Sequence, residues 1–236
     1  MKIGLLCAMR SEFDQLTPYL HITRETEIAR TTVLEGDVDG MEVAIAATGI
    51  CKANAAMTAQ MLIDRFDVTH ILMVGVAGGM DPRLGVHALC FSERLAHHDL
   101  DWHWLRHRPA PENGYFHGDP YMLSLCKKLD AAGTFLYPAF FGTMVTGEQF
   151  IAEEGRQQII DAWHPLCVDM ESAAAAQACL ANDIPFLAIR AISDTAETGA
   201  AGFDDNEISA ADAAASAAGA LLRAMAADRQ CRQPRE

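Results

Sequence analysis

The sequence has little positive charge. Its 18 Lys and Arg residues are outnumbered by 32 Asp and Glu residues, which leaves a formal net charge of −14. A surface of that sign repels nucleic acids and anionic membranes, and it disfavours polyanionic substrates unless a local basic site intervenes. The partner expected from charge alone is a neutral or zwitterionic small molecule.

Long apolar runs are also missing. No segment of about 18 or more apolar residues without charges occurs, so no transmembrane helix is expected. The apolar run at the start of the chain ends before Arg10 and Glu12, and it is typical of a first β-strand rather than of a secretory signal. Half of the residues are apolar (50%), which is enough to bury a substantial core.

Motifs for metals and cofactors are missing in the same way. The seven cysteines are odd in number, scattered and without a CxxC pair, a pattern typical of reduced thiols in a cytoplasmic protein. The glycine-rich segment 74–79 has neither GxGxxG spacing nor the lysine of a P-loop. We therefore expect no bound dinucleotide, no other cofactor and no metal.

The order of apolar runs and helical patterns predicts an α/β domain. Buried strands are expected at 2–8, 70–76, 139–145 and 186–193, with a hairpin at 31–36 and 42–47. Helices are expected at 11–19, with Ser11 as N-cap, and at 53–66, 120–132, 153–164, 172–182 and 210–227. This alternation indicates a layered fold with a parallel or mixed sheet. We expect one domain at 1–228 and a polar C-terminal tail at 229–236.

Polar, acidic and aromatic residues follow the predicted strands. Ligands of α/β sheets bind at the carboxyl ends of the strands. The segments at those ends are Met9-Arg10-Ser11-Glu12, Ala77-Gly78-Gly79, residues 146–151 and Ser193-Asp194. Because each end carries a glycine turn, an acid or an aromatic residue, their convergence predicts a ligand site.

Most of these residues also have an ordinary structural explanation. An acid such as Glu12 stabilises a first helical turn, and Asp194 or Glu171 could cap a helix. Arg190 is less ordinary, because a charge within an apolar strand needs a partner. The stretch 97–107 has five possible metal ligands in its first seven residues. A polar-aromatic loop near a ligand or interface is favoured there, since the helical zinc pattern is absent.

Six blocks occur in order along the chain, and any one of them alone is weak. They are Lys2-Ile3-Gly4 with Ala8-Met9 and Glu12, Thr48-Gly49-Ile50-Cys51-Lys52, Gly75-Val76-Ala77-Gly78-Gly79, Thr146-Gly147-Glu148-Gln149-Phe150-Ile151, Val168-Asp169-Met170-Glu171 and Arg190-Ala191-Ile192-Ser193-Asp194. Together they resemble the 5′-methylthioadenosine/S-adenosylhomocysteine nucleosidase family of the nucleoside phosphorylase superfamily. The resemblance implies a three-layer phosphorylase/hydrolase-like fold, with a central mixed β-sheet flanked by helices, and a homodimer.

The same resemblance implies hydrolysis of the N-glycosidic bond of a 5′-modified adenosine. Asp194, oriented by Ser193, would protonate purine N7, and Glu12, held by Arg190, would activate water. Glu171 would bind the ribose hydroxyls. The other implied contacts are Met170 against the sugar, Phe150 stacked on the purine, Ile151 reading its edge through the backbone, Val76, Ala77 and Gly78 lining the site, Met9 and Ile50 flanking the 5′ side, and Trp102, Leu105 and Phe203 closing the 5′ pocket.

Departures from the family pattern concern the acceptor and the 5′ group. Met73 stands where phosphorylases of the superfamily carry a phosphate-binding arginine, so water is the expected acceptor. Val76 replaces a serine or threonine that helps to hold the water, and Asp169 replaces a common Glu. The 5′ region, usually apolar in the family, here contains a His/Trp stretch, which makes S-adenosylhomocysteine or aminodeoxyfutalosine options beside methylthioadenosine.

Alternatives to this interpretation stay open at this point. They are a nucleosidase for another purine nucleoside such as aminodeoxyfutalosine or futalosine, a phosphate-dependent purine nucleoside phosphorylase, a weakly catalytic nucleoside-binding protein suggested by Val76, and a metalloenzyme built on residues 97–107.

Overall fold

The computed structural model describes residues 1–107 and 111–232. Within those ranges the strands are β1 Lys2–Cys7, β2 His21–Ile28, β3 Thr31–Val38, β4 Met41–Ala47, β5 His70–Gly79, β6 Leu89–His97, β7 Phe116–His117, β8 Ala139–Thr146, β9 Cys167–Asp169 and β10 Phe186–Asp194. The α-helices are α1 Arg10–Leu16, α2 Lys52–Phe66, α3 Pro120–Ala131, α4 Arg156–Trp163, α5 Ser172–Ala181 and α6 Gly199–Arg232, with 3-10 helices at Thr17–Tyr19 and Trp102–His107.

One mixed sheet runs through the chain and partly closes on itself. Its strand order is β10-β6-β8-β9-β5-β1-β4-β3-β2, with β7 paired to β6. Because β10 also pairs with β5, the first five strands of that order form a ring. Strand β1 is parallel to β4 and β5, whereas β3 is antiparallel to β4. This is the mixed sheet flanked by helices that the sequence predicts.

Helices cover both faces of the sheet because strand side chains point alternately to either side. Ile3 and Leu5 of β1 belong to a core cluster that includes residues of α1, α3 and α6. Leu6, which follows Leu5 and points to the opposite face, belongs to a second cluster with residues of α2 and α5. These three side chains are fully buried, so β1 lies in the middle layer, and the segment that follows it faces the site.

Several boundaries differ from the predicted ones. Helix α1 begins at Arg10 with Met9 as its N-cap, so the prediction of Ser11 as N-cap is wrong. Ser11 lies inside the helix, and its hydroxyl donates a hydrogen bond to the Glu207 carboxylate of α6. Helix α6 begins at Gly199 and continues through Arg232, so residues 229–232 of the predicted tail are helical. Residues 233–236 of that tail lie outside the described part of the chain.

No helix in the described ranges is both long and apolar enough to cross a membrane.

Candidate active site

A cavity opens where β1, β5, β9 and β10 end. Its volume is about 580 Å³ with the solvent at its mouth included. The residues that line it are Ala8, Met9, Glu12, Ile50, Val76, Ala77, Gly78, Gln149, Phe150, Ile151, Val168, Asp169, Met170, Glu171, Ser193, Asp194 and Phe203. Ala8, Gln149 and Val168 stand in the sequence motifs, but sequence reasoning assigned them no role in the site.

Glu12 is held in the cavity by backbone amides. The N–H groups of Ala8 and Met9 donate to its Oε2 at 2.6 and 2.9 Å, and that of Val76 donates to its Oε1 at 2.8 Å. The carboxylate is 2% exposed. Burial raises the pKa of Glu12, whereas Arg190 and the three amide hydrogen bonds lower it. The side chain is thus oriented by the chain itself, with a raised pKa suited to a general base.

Gly75 makes room for this carboxylate. A Cβ at position 75 would lie 2.1 Å from Glu12 Oε1 and 2.6 Å from Arg190 Nη1. Gly75, Gly78 and Gly79 lie inside β5, which pairs with β10 up to Gly78, and not in a turn. The glycines therefore serve close side-chain approach rather than a change of chain direction.

Arg190 is the fully buried centre of a charged cluster. Its Nε lies 2.9 Å from Asp169 Oδ2, its Nη2 3.2 Å from Glu171 Oε2, and its Nη1 3.7 Å from Glu12 Oε1. Both Nε and Nη2 also donate to the Ser172 hydroxyl, at 3.2 and 3.1 Å. The buried charge of Arg190 is therefore paired with three carboxylates. Sequence reasoning had assigned no role to one of them, Asp169.

One arginine cannot neutralise three carboxylates, and the excess negative charge falls on Glu171. Burial raises the pKa of Glu171 to about 7, with Asp169 and Glu12 adding to the rise and Arg190 opposing it. Glu171 Oε1 accepts the backbone N–H of Cys51 at 3.0 Å. Cys51 has a φ of 86°, and Gly49, two residues before it, has a φ of 81°. This left-handed loop conformation points the Cys51 amide at the carboxylate.

Asp194 stands at the end of β10 and is 1% exposed. Its Oδ1 accepts the Ser193 hydroxyl at 2.8 Å, while its Oδ2 has no hydrogen-bond partner among the described residues. Burial raises the pKa of Asp194, and the Ser193 hydrogen bond and the charge of Arg156 lower it. A buried carboxyl group with one free oxygen is suited to carry a proton to a ligand.

Arg156 of α4 is a site-adjacent residue that sequence reasoning missed. Its Nη2 lies 3.6 Å from Asp194 Oδ2, and the residue is 6% exposed. The sequence shows only an arginine in a polar helical pattern, where a charge is normally solvated. This side chain is buried because it reaches from α4 to the Gly79 carbonyl at the end of β5 and to Asp194 at the end of β10.

Two aromatic rings and an aliphatic side chain stand at the mouth of the cavity. Phe150 and Phe203 meet edge to face with centroids 5.6 Å apart, and Phe150 is 49% exposed. Ile50 is 46% exposed. Apolar groups that stay this accessible beside a cavity are available to cover a ligand.

The stretch 97–107 contributes nothing to the cavity of a single chain in the described part of the structure. The half-buried Leu105 packs against the core cluster that includes residues of α2 and α5 and does not line the cavity of one chain, so its place in the 5′ pocket stays a prediction. The side chain of Trp102 lies outside the described part. Asp99 pairs with Lys52 at 2.7 Å and Asp101 with His103 at 2.7 Å. Among the described residues no group of three or more possible ligands is placed to hold a metal.

Known proteins share this architecture and these motifs. The phosphorylase superfamily profile matches residues 2–227. The 5′-methylthioadenosine/S-adenosylhomocysteine nucleosidase of Mycobacterium bovis is 32% identical over 94% of this chain and 95% of its own length. The chain belongs to this nucleosidase family. The family and the α/β fold that the motifs predict are thereby confirmed.

Solved nucleosidases of the family superpose closely on this chain. The enzyme from Neisseria meningitidis, in complex with methylthio-immucillin-A, has a TM-score of 0.87 at 27% identity and covers 94% of this chain and 99% of its own. The enzyme from Colwellia psychrerythraea 34H, in complex with adenine, has a TM-score of 0.85 at 30% identity and covers 94% of each chain.

The nucleosidase cavity is acidic. Four carboxyl groups line it, those of Glu12, Asp169, Glu171 and Asp194, and its lining includes no Lys or Arg. Met73, at the position of the phosphate-binding arginine of related phosphorylases, is fully buried in β5. A phosphate dianion requires cationic contacts, so this lining favours an uncharged acceptor.

Proposed function

We propose that this chain hydrolyses the N-glycosidic bond of a 5′-modified adenosine, such as methylthioadenosine or S-adenosylhomocysteine, and releases adenine and the 5′-modified ribose. The observation that carries the proposal is the cavity lined by the held carboxylate of Glu12 and the buried carboxyl of Asp194, without a cationic side chain. These two groups supply the base and the acid that hydrolysis of such a bond needs.

Departure of the base begins at Asp194. As the C1′–N9 bond breaks, its electron pair passes to the purine, and a proton on Asp194 Oδ2 passes to N7. Ser193 fixes the other oxygen by donating to Oδ1 at 2.8 Å. Because burial raises the pKa of Asp194, the carboxyl retains a proton at higher pH than an exposed aspartate does.

Glu12 acts as the general base for the attacking water. The carboxylate takes a proton from water as the water oxygen bonds to C1′, and the three amides that bind Glu12 keep it aimed during this step. Ionised carboxylates also stabilise the positive charge that develops on the ribose. Arg190 keeps Glu12 and Glu171 from repelling each other in a dry site.

Substrate binding follows from the remaining lining residues. Glu171 accepts the ribose hydroxyls, with Met170 against the sugar, and Phe150 stacks on the purine. The backbone of Ile151 reads the purine edge, and Ala77 and Gly78 approach through their backbone. Met9, Ile50 and Phe203 then flank the 5′ group.

We also propose a homodimer in which Trp102 and Leu105 of a second copy complete the 5′ pocket. Large apolar side chains stay exposed outside the cavity lining: Met57 on α2 is 64% exposed and Trp104, beside Leu105, is 75% exposed. The Lys52–Asp99 ion pair ties the start of α2 to the segment before Trp104. Burial between two copies would remove these side chains from water. Light scattering at micromolar protein checks the dimer, and a monomer would contradict it. The free state of the six described cysteines supports a cytoplasmic setting.

A nucleoside panel with chromatography of the released base tests the activity. The expected result is adenine from 5′-modified adenosines in phosphate-free buffer, with the 5′-modified ribose rather than its 1-phosphate as co-product. Asp194→Asn and Glu12→Gln abolish release, whereas Asp161→Asn on the exposed face of α4 leaves it unchanged. Strict dependence on phosphate would favour a phosphorylase instead. Tight binding without turnover would favour a binding protein.

A further inference from the structure

We propose that Arg156 is a positioning residue that sets both the place and the acidity of Asp194 and holds the segment that contacts the purine. The inference rests on the function proposed above and adds to it a residue outside the cavity lining.

The guanidinium of Arg156 joins three segments at once. Its Nε donates to the Ala152 carbonyl at 2.7 Å and its Nη2 to the Ile151 carbonyl at 3.2 Å. Its Nη1 donates to the Gly79 carbonyl at the end of β5. The same Nη2 lies 3.6 Å from Asp194 Oδ2 at the end of β10. One planar group therefore fixes the purine-contacting segment relative to the strand ends that carry Ala77, Gly78 and Asp194.

Only arginine has the geometry for this role. Its donors point outward in a rigid fork, whereas a lysine ammonium is a point charge on a flexible stem that cannot reach three carbonyls spread around it. Removing the fork leaves buried carbonyl oxygens without donors, which is costly. The segment with Phe150 and Ile151 would then lose its anchor to β5.

The distance between Arg156 Nη2 and Asp194 Oδ2 determines how the arginine acts on the carboxyl group. At 3.6 Å the two groups form an ion pair without a hydrogen bond. Oδ2 is thus left free to hold a proton, while the positive charge limits how far burial raises the pKa of Asp194. A directly bonded arginine would keep the carboxyl ionised, and no arginine would make it a weaker acid.

Few other groups near Asp194 can titrate or carry charge. From β10 it meets the Ser193 hydroxyl, and β5 presents Gly78, where a Cβ would lie 3.1 Å from Oδ2. From α6, Gly202 approaches the Asp194 Cβ. The other carboxyls that line the cavity, those of Glu12, Asp169 and Glu171, are associated with Arg190. Within the described part of the chain, Arg156 is accordingly the cation that acts on Asp194.

The pH profile of kcat/KM tests the proposal in the full-length protein, with Arg156→Gln, Arg156→Met and Arg156→Lys. In the two neutral variants the basic limb, which reports a protonated Asp194, moves up by about one pH unit or more, because an opposite charge at this distance lowers an aspartate pKa by roughly 1–3 units. The lysine variant keeps the limb in place. In all three variants KM rises about fivefold or more, since the purine-contacting segment loses hydrogen bonds.

Arg83→Gln is the matched control. Arg83 pairs with Asp81 at the surface and does not line the cavity, so the limb and KM stay as in the wild type. A neutral Arg156 variant whose basic limb stays at the wild-type pH would overturn the proposal even if its rate fell. Loss of structure alone lowers the rate without shifting the pKa of Asp194. Should neither neutral variant fold, wild-type KM in Arg156→Lys would overturn it. Adenine release by the wild type is measured first, so a failure of the proposed function is seen separately, and the variants are then assayed with whichever nucleoside is turned over.

Discussion

Replacing Gly75 by alanine would place a methyl group against the carboxylate of Glu12. The added carbon would lie 2.1 Å from Oε1, 2.5 Å from Cδ and 2.6 Å from Arg190 Nη1. Neither neighbour can yield easily, because Glu12 is bound by three backbone amides and Arg190 by two other carboxylates. We therefore expect the carboxylate to be driven off the Val76 amide.

The expected cost is larger for activity than for stability. Overpacking of this kind costs about 1–3 kcal/mol, which lowers Tm by roughly 2–12 °C in a domain of this size. A misplaced catalytic group costs about 100-fold, and loss of general-base catalysis costs roughly 100- to 10,000-fold. We expect kcat/KM to fall at least about 100-fold in a protein that still folds.

Gly85→Ala is the control for this substitution. A Cβ at Gly85 meets nothing within 4 Å, so both Tm and kcat/KM should match the wild type. Adenine release and differential scanning fluorimetry measure the two quantities. A Gly75→Ala enzyme with activity within about threefold of the wild type would refute the claim that Glu12 needs this position as the base.

Three further predictions concern single side chains of the cavity. Because the pKa of Glu171 is raised to about 7, its carboxylate gains a proton as pH falls through that value, so KM should rise on the acid side; a pH-independent KM from about pH 6 to 8 would contradict its role with ribose. Burial raises the pKa of Asp194, so its contribution to stability is present at low pH and lost as pH rises through the folded pKa. Asp194→Asn should therefore be inactive yet melt above the wild type near pH 8, with the difference shrinking toward about pH 4; lower Tm at pH 8 would count against this. Val76→Ser should change kcat by less than about tenfold, because Val76 acts on Glu12 through its backbone N–H and a new hydroxyl adds about 1 kcal/mol at most; a larger gain in single-turnover assays would show that the hydroxyl matters.

The sequence predicts the centre of the fold better than its edges. Strands β1, β5 and β10 are buried on both faces over almost their whole length, so their apolar runs are visible in the sequence. Strand β2 is absent from the predicted elements because most of its side chains are exposed and polar. Strand β6 is absent because Ser92-Glu93-Arg94 interrupts its apolar run at a bulge. Pairing with neighbours, rather than local pattern, makes these segments strands.

The sequence likewise predicts some residues of the site and not others. Glu12, Glu171 and Asp194 stand in ordered motifs at strand ends, which a single sequence displays. Arg156 stands in no such motif. Its partners are mostly backbone carbonyls, which every residue has, so no residue type in the sequence marks these contacts. The need for glycine at 75 is likewise invisible before Glu12 and Arg190 are brought together.

Because main-chain amides hold Glu12, the placement of the catalytic base does not depend on the side chains that shape the substrate pocket. Ala8, Met9 and Val76 present their N–H groups to the carboxylate whatever side chains they carry. The side chains proposed to contact the 5′ group, those of Met9, Ile50 and Phe203, can therefore be exchanged while the backbone amides still hold Glu12. A lineage could acquire new nucleosides by altering these positions one at a time, and a mutant library restricted to them is the practical route to a different substrate.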